Sequence, residues 1–471
     1  MAESPNPALS NSGYAAARNI ANTLRQAGHQ AYLAGGCVRD LLLGLTPNDY
    51  DVATSATPAV VIDLFPDKKS LTVGAHFGVV LICEPKEEEH DGISTEVATF
   101  RHDGAYSDGR RPDAVRFATD PREDVLRRDF TINGMLLDTA VYDRTGDAAQ
   151  ATLDYVGGRD DLAVGIIRAI GDPMQRFAED KLRMLRAVRF AARLGFAIEP
   201  ATAAAIRTLA SEITVVSPER ICDELTLILT EGGARRGFEL LDQLGLLSHI
   251  LPEVQKLHGV DQPPEYHPEG DVWIHTMLLL EKLPSGASPT LAWGALLHDI
   301  GKPATFRAPD PSVANDRIRF NGHVEVGVRI AQVILSRLRF SSEEIDQIVA
   351  LVKNHMRFGD LRHMRESTLK RFLRLPYFDE HLALHRMDCL SSHCNLSLYD
   401  YAKQRYESSP PEEFHPKLLL TGRELIEAGY RPGPKFKKML EAAEDAQLEG
   451  AITTPAEALR LIYELFGSPI T

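Results

Sequence analysis

The sequence predicts an α+β chain, with a small mixed sheet near the N-terminus followed by helices throughout the remainder. Strand-like segments, rich in β-branched and aromatic residues between turn signals, fall before about residue 150. From about Asp172 the apolar spacing becomes helical and stays so. Eleven of the 16 histidines lie between His249 and His393, a composition shift that marks a separate domain. With 471 residues the chain exceeds what one hydrophobic core organises. The divisions expected are 1–150, 151–235, 236–415 and 416–471.

Taken in order, SGYAAARNIANTLRQA (12–27) reads as an amphipathic helix and Ala31–Ala34 as a short strand. The turn Gly35-Gly36 leads into a helix through Val38–Leu43. Strands are expected at Asp51–Ala53, Val79–Cys83 and Thr95–Arg101. The polar, Gly- and Arg-rich stretch between Asp103 and Arg116 reads as a long loop. FAEDKLRMLRAVRFAARLGF reads as one helix, with Gly195 as its C-cap. LTGRELIEAGYRPGPKFKKMLEAAEDAQLEG closes the chain around a Pro/Gly hinge, with Lys435, Lys437 and Lys438 near a helix start that suits an RNA phosphate.

Composition narrows the class. Apolar residues at 44% and charged residues at 25% are the values of an ordinary soluble globular protein. No apolar run approaches the roughly 18 residues that span a bilayer. The N-terminus lacks a basic n-region and an apolar h-region. Cys37, Cys83, Cys222, Cys389 and Cys394 are scattered and form no CxxC pair, which fits a reducing cytoplasm rather than a disulfide framework. The net charge of −14 runs against general polyanion binding, but a polymerase needs only a local basic track around metal sites that are themselves acidic.

LAGGCVRDLLLGLTPNDYDVAT places two glycines at a strand-to-helix turn and two carboxylates, Asp49 and Asp51, shortly after. Glycines let the backbone approach a triphosphate, and a helix start offers free N–H groups to it. Carboxylates two apart on a strand point the same way and can share a pair of metal ions ~3.5–4 Å apart. Glu96, on a later strand, could complete the cluster, although a single acid on an edge strand is more often merely solvated. In EDKLR, Glu179 and Arg183 stand at i,i+4 and Asp180 and Arg183 at i,i+3. An arginine donor beside an aspartate acceptor can pair with the edge of cytosine or adenine without a template.

GGCVRD followed by DYD resembles the signature of the nucleotidyltransferases that include class II CCA-adding enzymes and bacterial poly(A) polymerases. Three further motifs follow in that family's order. The RRDFTIN element at Arg127–Asn133 implies that Arg128, Asp129 and Asn133 bind the nucleotide sugar and triphosphate, with Gly35, Gly36 and Arg39. The EDxxR element implies that Glu179, Asp180 and Arg183 read the incoming base, and Arg186 is assigned with them to the nucleotide. Glu219, Arg220 and Glu224 match an ER…E element that orients neck helices. The resemblance implies a catalytic trio of Asp49, Asp51 and Glu96, Mg2+ on the two aspartates, and tRNA, CTP and ATP as partners.

Downstream, His275, His298-Asp299, His323, His355 and Asp388 occur in order. Imidazoles and carboxylates from separate helices are the usual donors for divalent metals in a bundle core. The series is similar to the HD phosphohydrolase superfamily, which implies a divalent transition metal centre and hydrolysis of phosphate monoesters or cyclic phosphates. The fold class expected is therefore a mixed-sheet nucleotidyltransferase head, an all-α neck and an all-α HD domain. The activity expected is template-independent CCA addition to tRNA. A-only addition, poly(A) synthesis and an HD phosphohydrolase with an RNA-binding head are the alternatives.

Overall fold

In the computed structural model, residues 11–71, 78–83, 92–104, 114–265, 267–414 and 416–469 are described. They divide into two compact units, Met1–Pro252 and Glu253–Thr471.

The first unit opens with a helix, Ser12–Gln26, whose N-terminal amides are capped by the Asn11 side chain. Its apolar face, with Tyr14, Ile20 and Leu24 fully buried, covers a seven-stranded sheet. The strands are β1 (Ala31–Ala34), β2 (Asp51–Thr54), β3 (Lys69–Leu71), β4 (Val79–Cys83), β5 (Ser94–Thr99), β8 (Met135–Leu137) and β9 (Thr152–Asp154), in the order β3-β4-β5-β2-β1-β8-β9. β2 and β5 run parallel and every other neighbouring pair is antiparallel, so the sheet is mixed as expected. β6 (Arg101–Asp103) and β7 (Val115–Phe117) pair antiparallel as a separate ribbon. The loop expected at Asp103–Arg116 joins these two strands, and most of it lies outside the described residues.

The helices that follow complete this unit. The expected single helix around EDKLR is two. Pro173–Glu179 stops at Asp180, which is extended (φ −145°, ψ 108°), and a second helix runs from Arg183 to Leu194. The break has a local cause: the Asp180 carboxylate accepts from the Leu182 amide, a capping bond that competes with helix continuation. Gly195 ends the second helix at φ 70°, as its position suggested. Helix Ala234–Gln243 packs on the Arg183–Leu194 helix, so the division at 235 cuts through an element of the first unit.

The second unit is helical. Val272–Glu281 and Pro289–Leu297 are mostly apolar and mostly buried, with Trp293 of the second fully so. His323–Arg337, Ser342–Asn354 and Phe378–Ser391 pack around them. The closing segment has its own small core of Leu420, Leu425, Met439, Ala458 and Ile462. Arg371–Glu444, Arg374–Glu444 and Ser367–Glu449 contacts tie it to the rest of the same unit.

Candidate active site

The C-terminal end of β1 leads into Gly35, whose φ of 79° belongs to glycine. A Cβ there would stand 3.1 Å from Arg128 Nη1, so the arginine lies directly over the turn. Asp51 begins β2 and Asp49 precedes it by two residues. β5 lies between β4 and β2 rather than at an edge, with Val97 opposite Val52, so Glu96 sits beside Asp51 in the parallel register. Asp49, Asp51 and Glu96 line one cavity of about 580 Å3. Burial, then the neighbouring charge of Glu96, push the Asp51 carboxyl up to about 6 despite Arg128; Asp49 adds to the rise. Carboxylates crowded in this way are a donor set that fits divalent cations.

The same cavity is lined by Gly36, Arg39, Asn48, Arg127, Arg128, Asp129 and Asn133 from the head, and by Asp180, Arg183, Arg186 and Arg220 from the neck helices. Its electrostatics are thus acid on one wall and guanidinium on the others, which suits a polyphosphate carrying metal ions. Each arginine is held from behind. Asp124, completely buried, binds Arg127 and Arg128 through both carboxylate oxygens, at 2.6 and 3.0 Å at the shortest. Arg39 donates to Asn133 Oδ1 at 2.8 Å, and Arg186 to Asp129 at 2.7–2.8 Å.

The EDxxR residues do not share one helical face. Arg183 donates to Glu179 and to the Arg127 carbonyl, and Glu179 also holds Arg176. Glu179 is absent from the cavity lining, while Asp180 and Arg183 belong to it. Arg220 of the ER…E element clamps Asp180 through both oxygens, at 2.8 and 3.3 Å. Glu224 lies 3.1 Å from Arg189 and 3.8 Å from Arg186. Sequence reasoning missed Asp40, Arg189, Phe190, Arg193 and Glu231, all in the cavity wall. The arginines' 3–4 spacing after Arg186 was the available signal.

In the second unit the donor atoms converge more tightly. Among the described residues, the groups whose donors lie within 4.8 Å of one another are all here: His275/His298/Asp388, Asp299/His323/His355 and His267/Glu269/His275. His298, His323 and His355 each direct Nδ1 at a backbone carbonyl, of Ala295, Phe320 and Val352, at 2.7–2.9 Å. A carbonyl only accepts, so Nδ1 carries the proton and each Nε2 lone pair faces the cluster. His275 directs its Nδ1 at Glu269 Oε1 at 2.7 Å and its Nε2 at Asp388 Oδ1 at 3.2 Å. The buried Nε2 atoms of His323 and His355 have no hydrogen-bond partner and stand 3.9 and 3.6 Å from Asp299 Oδ1. Burial opposes charging His275, but hydrogen bonds to Asp388 and Glu269 outweigh it and push the ring up to about 9. This donor set fits one or two divalent metals. Glu269, His267 and Lys302, which meets Asp299 at 2.7 Å, surround it.

A GG turn and three carboxylates on a mixed sheet, facing an arginine-lined cavity and followed by a His/Asp cluster on helices, define a nucleotidyltransferase-type head followed by a helical unit with an HD-type centre. Residues 31–168 match the Poly A polymerase head domain, 195–257 the probable RNA and SrmB-binding site of polymerase A, and 270–390 the HD domain. The CCA-adding enzyme of Geobacillus sp. (strain WCH70) is 41% identical over 234 residues, 50% of this chain and 54% of that protein. The match thus spans about half the length of that relative. A CCA-adding enzyme of Lacticaseibacillus paracasei is 30% identical over 96% of both chains. An A-adding tRNA nucleotidyltransferase of Deinococcus radiodurans is 32% identical over 91% of this chain and 94% of its own. The crystal structure of the Bacillus stearothermophilus CCA-adding enzyme in complex with CTP superposes with a TM-score of 0.69 at 26% identity, covering 96% and 98% of the two chains. The chain belongs to the CCA-adding enzyme family of tRNA nucleotidyltransferases, in the branch that carries an HD domain. No helix among the described residues is long and apolar enough to cross a membrane.

Proposed function

We propose that this protein adds CCA to the 3′ end of tRNA in the cytoplasm, consuming CTP and ATP and releasing pyrophosphate. The observation that carries the reading is one cavity uniting the acid trio with the arginines of RRDFTIN and EDxxR. Asp49 and Asp51 would hold Mg2+, which would supply positive charge at the reacting phosphate and ease loss of the 3′-hydroxyl proton. Glu96 stands beside Asp51 and completes the acidic wall. Gly35 and Gly36 admit the triphosphate close to the backbone, with Arg39 and Arg128 directed at its oxygens. Asp129 and Asn133 take the sugar end. Arg183 as donor and Asp180 as acceptor meet the edge of cytosine or adenine; Glu179 fixes Arg183 from behind.

Addition of the terminal A alone is the second reading, favoured by the similarity to the Deinococcus protein. Transcripts of tRNA ending before CCA, after C and after CC, incubated with CTP, ATP or both, separate the two by product length. CCA addition predicts growth of all three with both nucleotides. Growth of the CC-ended transcript alone, from ATP alone, would overturn it. Asp49→Ala should abolish extension, by more than about 10³-fold as expected for a residue acting in the transition state, and His298→Ala should spare it. The second unit we read as a metal-dependent phosphohydrolase acting on phosphate esters or cyclic phosphates. The tail, with Lys437 84% exposed, we read as an RNA contact.

A further inference from the structure

Charged side chains along one wall of the cavity, with Asn133 and the adjoining Glu224, form a closed ring. In the head, Asp129 accepts from Asn133 Nδ2 at 3.4 Å, Asn133 accepts from Arg39 at 2.8 Å, and Arg39 pairs with Asp40 at 2.7 Å. Asp40 then faces Arg193, at 3.6 Å, on the Arg183–Leu194 helix. From Arg193 the ring passes to Glu231 at 3.7 Å, and from Glu231 to Arg189 at 3.4 Å. Glu224 links Arg189, at 3.1 Å, to Arg186, at 3.8 Å, and Arg186 returns to Asp129 at 2.7 Å. Four arginines face four carboxylates, so the ring is neutral as a whole. At its centre lies Phe190, with the guanidinium carbons of Arg39, Arg186 and Arg189 4.7–5.2 Å from the ring centroid.

Ion pairs at such burial add little net stability, because desolvation offsets the attraction; what they supply is a defined geometry. Here the geometry joins two places that the nucleotide must bridge. Arg39 and Asn133 belong to the head, next to Gly35 and the acid trio. Arg186 belongs to the neck, one turn beyond the base-facing Arg183. Arg193 and Glu231 lie outside every motif and close the ring on the side away from Asp129. Their side chains are 25% and 23% exposed, so they border the cavity without being sealed in the core.

We propose that Arg193 and Glu231 are positioning residues for nucleotide addition: they close the ring that sets the spacing between Arg39 in the head and Arg186 on the neck helix. The inference rests on the reading of this cavity as the nucleotide site. Opening the ring releases Asp40 from the neck on one side and Arg189 from Glu231 on the other. Arg39 and Arg186 remain joined through Asn133 and Asp129, but the second link between the head and the neck helix is gone, so their spacing is held from one side only. The loss falls on binding of the nucleotide as a whole, which raises KM, and on the choice between the larger and smaller base. It does not fall on the chemistry at the acid trio.

The test uses the full-length chain with Mg2+. CTP and ATP binding without RNA is measured by calorimetry, and extension kinetics are measured on tRNA transcripts, for the parent, Arg193→Gln, Glu231→Gln and Arg193→Lys. Both glutamine variants should raise the nucleotide Kd and KM about tenfold, the scale of coupling within one charged network, with kcat within about threefold of the parent. The CTP-to-ATP preference should shift at the same time. Arg193→Lys keeps the charge but not the fork, so it should fall between. Parent-like Kd, KM and preference in both glutamine variants overturn the proposal. So does weakened binding that merely follows a lowered melting temperature, with Arg193→Lys no better than Arg193→Gln. A parent that binds nucleotides yet extends no tRNA refutes the functional reading instead, and the ring is then judged on the binding data alone.

Discussion

At the scale of single residues, the site is governed by how carboxylates are shared. Asp51, crowded by Glu96 and Asp49 in a buried position, is pushed upward. Asp124 goes the other way: burial raises its carboxyl, but Arg128 and Arg127 together bring it below the usual range. Asp124 does not itself line the cavity, yet both arginines at the start of RRDFTIN depend on it. Asp124→Asn should destabilise the first unit by about 3 kcal/mol, the cost of leaving a buried pair half made. Because the folded-state value is depressed, this stability is present in full above the unfolded carboxyl's pKa near ~4 and is lost as pH falls below it. Urea unfolding at pH 7 and pH 3 checks both points: the difference between parent and variant should be smaller at pH 3 than at pH 7.

At the scale of elements, the decisive features are a helix that stops and two helices that nearly touch. Asp180 interrupts what the sequence shows as one helical run, and its carboxylate accepts from the Leu182 amide in the turn before the next helix while Arg220 holds it. Asp180→Ala should cost about 1 kcal/mol as a lost cap. Its larger effect should be on base choice, with the kcat/KM values for CTP and ATP drawing together in steady-state assays. Unchanged discrimination would show that Asp180 serves the helix alone. In the second unit, Gly301 stands where a Cβ would meet the His323 carbonyl at 2.0 Å and the Gly327 amide at 2.6 Å. Both contacts are backbone and cannot step aside. Gly301→Ala should therefore push the His323 helix outward, costing about 2–3 kcal/mol as overpacking does. Thermal melting and Mn2+ titration of the variant should show lower stability and weaker metal uptake together.

At the scale of the whole molecule, the two compact units should respond differently to acid. His381 and His385, buried among the aromatic residues of the second unit, are held down to about 4, chiefly by burial. The unfolded chain takes up those protons near ~6.5 and the folded unit does not. Stability of the second unit should then fall as pH drops from about 6.5 toward 4, while Asp124 and Asp129 of the first unit, held down by arginines, stay ionised. Calorimetric scans at pH 7 and pH 5 should show two transitions moving apart, the second unit's descending. A common shift of both would contradict this account.

Much of the protein was legible in its residue order. The strands at Ala31–Ala34 and Val79–Cys83, the GG turn and the Gly195 helix end are local events, set by side-chain period and by a backbone angle that glycine adopts. The donor series from His275 to Asp388 was likewise readable, because those residue types have few other reasons to recur across helices. Sequence could not place Glu96, since an interior and an edge strand have the same alternation; the pairing of β2 with β5 decided it. Nor could it show the break at Asp180, where a capping bond competes with helix propensity on nearly equal terms. The ring through Asp40, Arg193 and Glu231 was beyond its reach as well. Its members are about 150 and 190 residues from Asp40 along the chain, and charges that distant become partners only when head and neck pack against each other and exclude the water that would otherwise screen them.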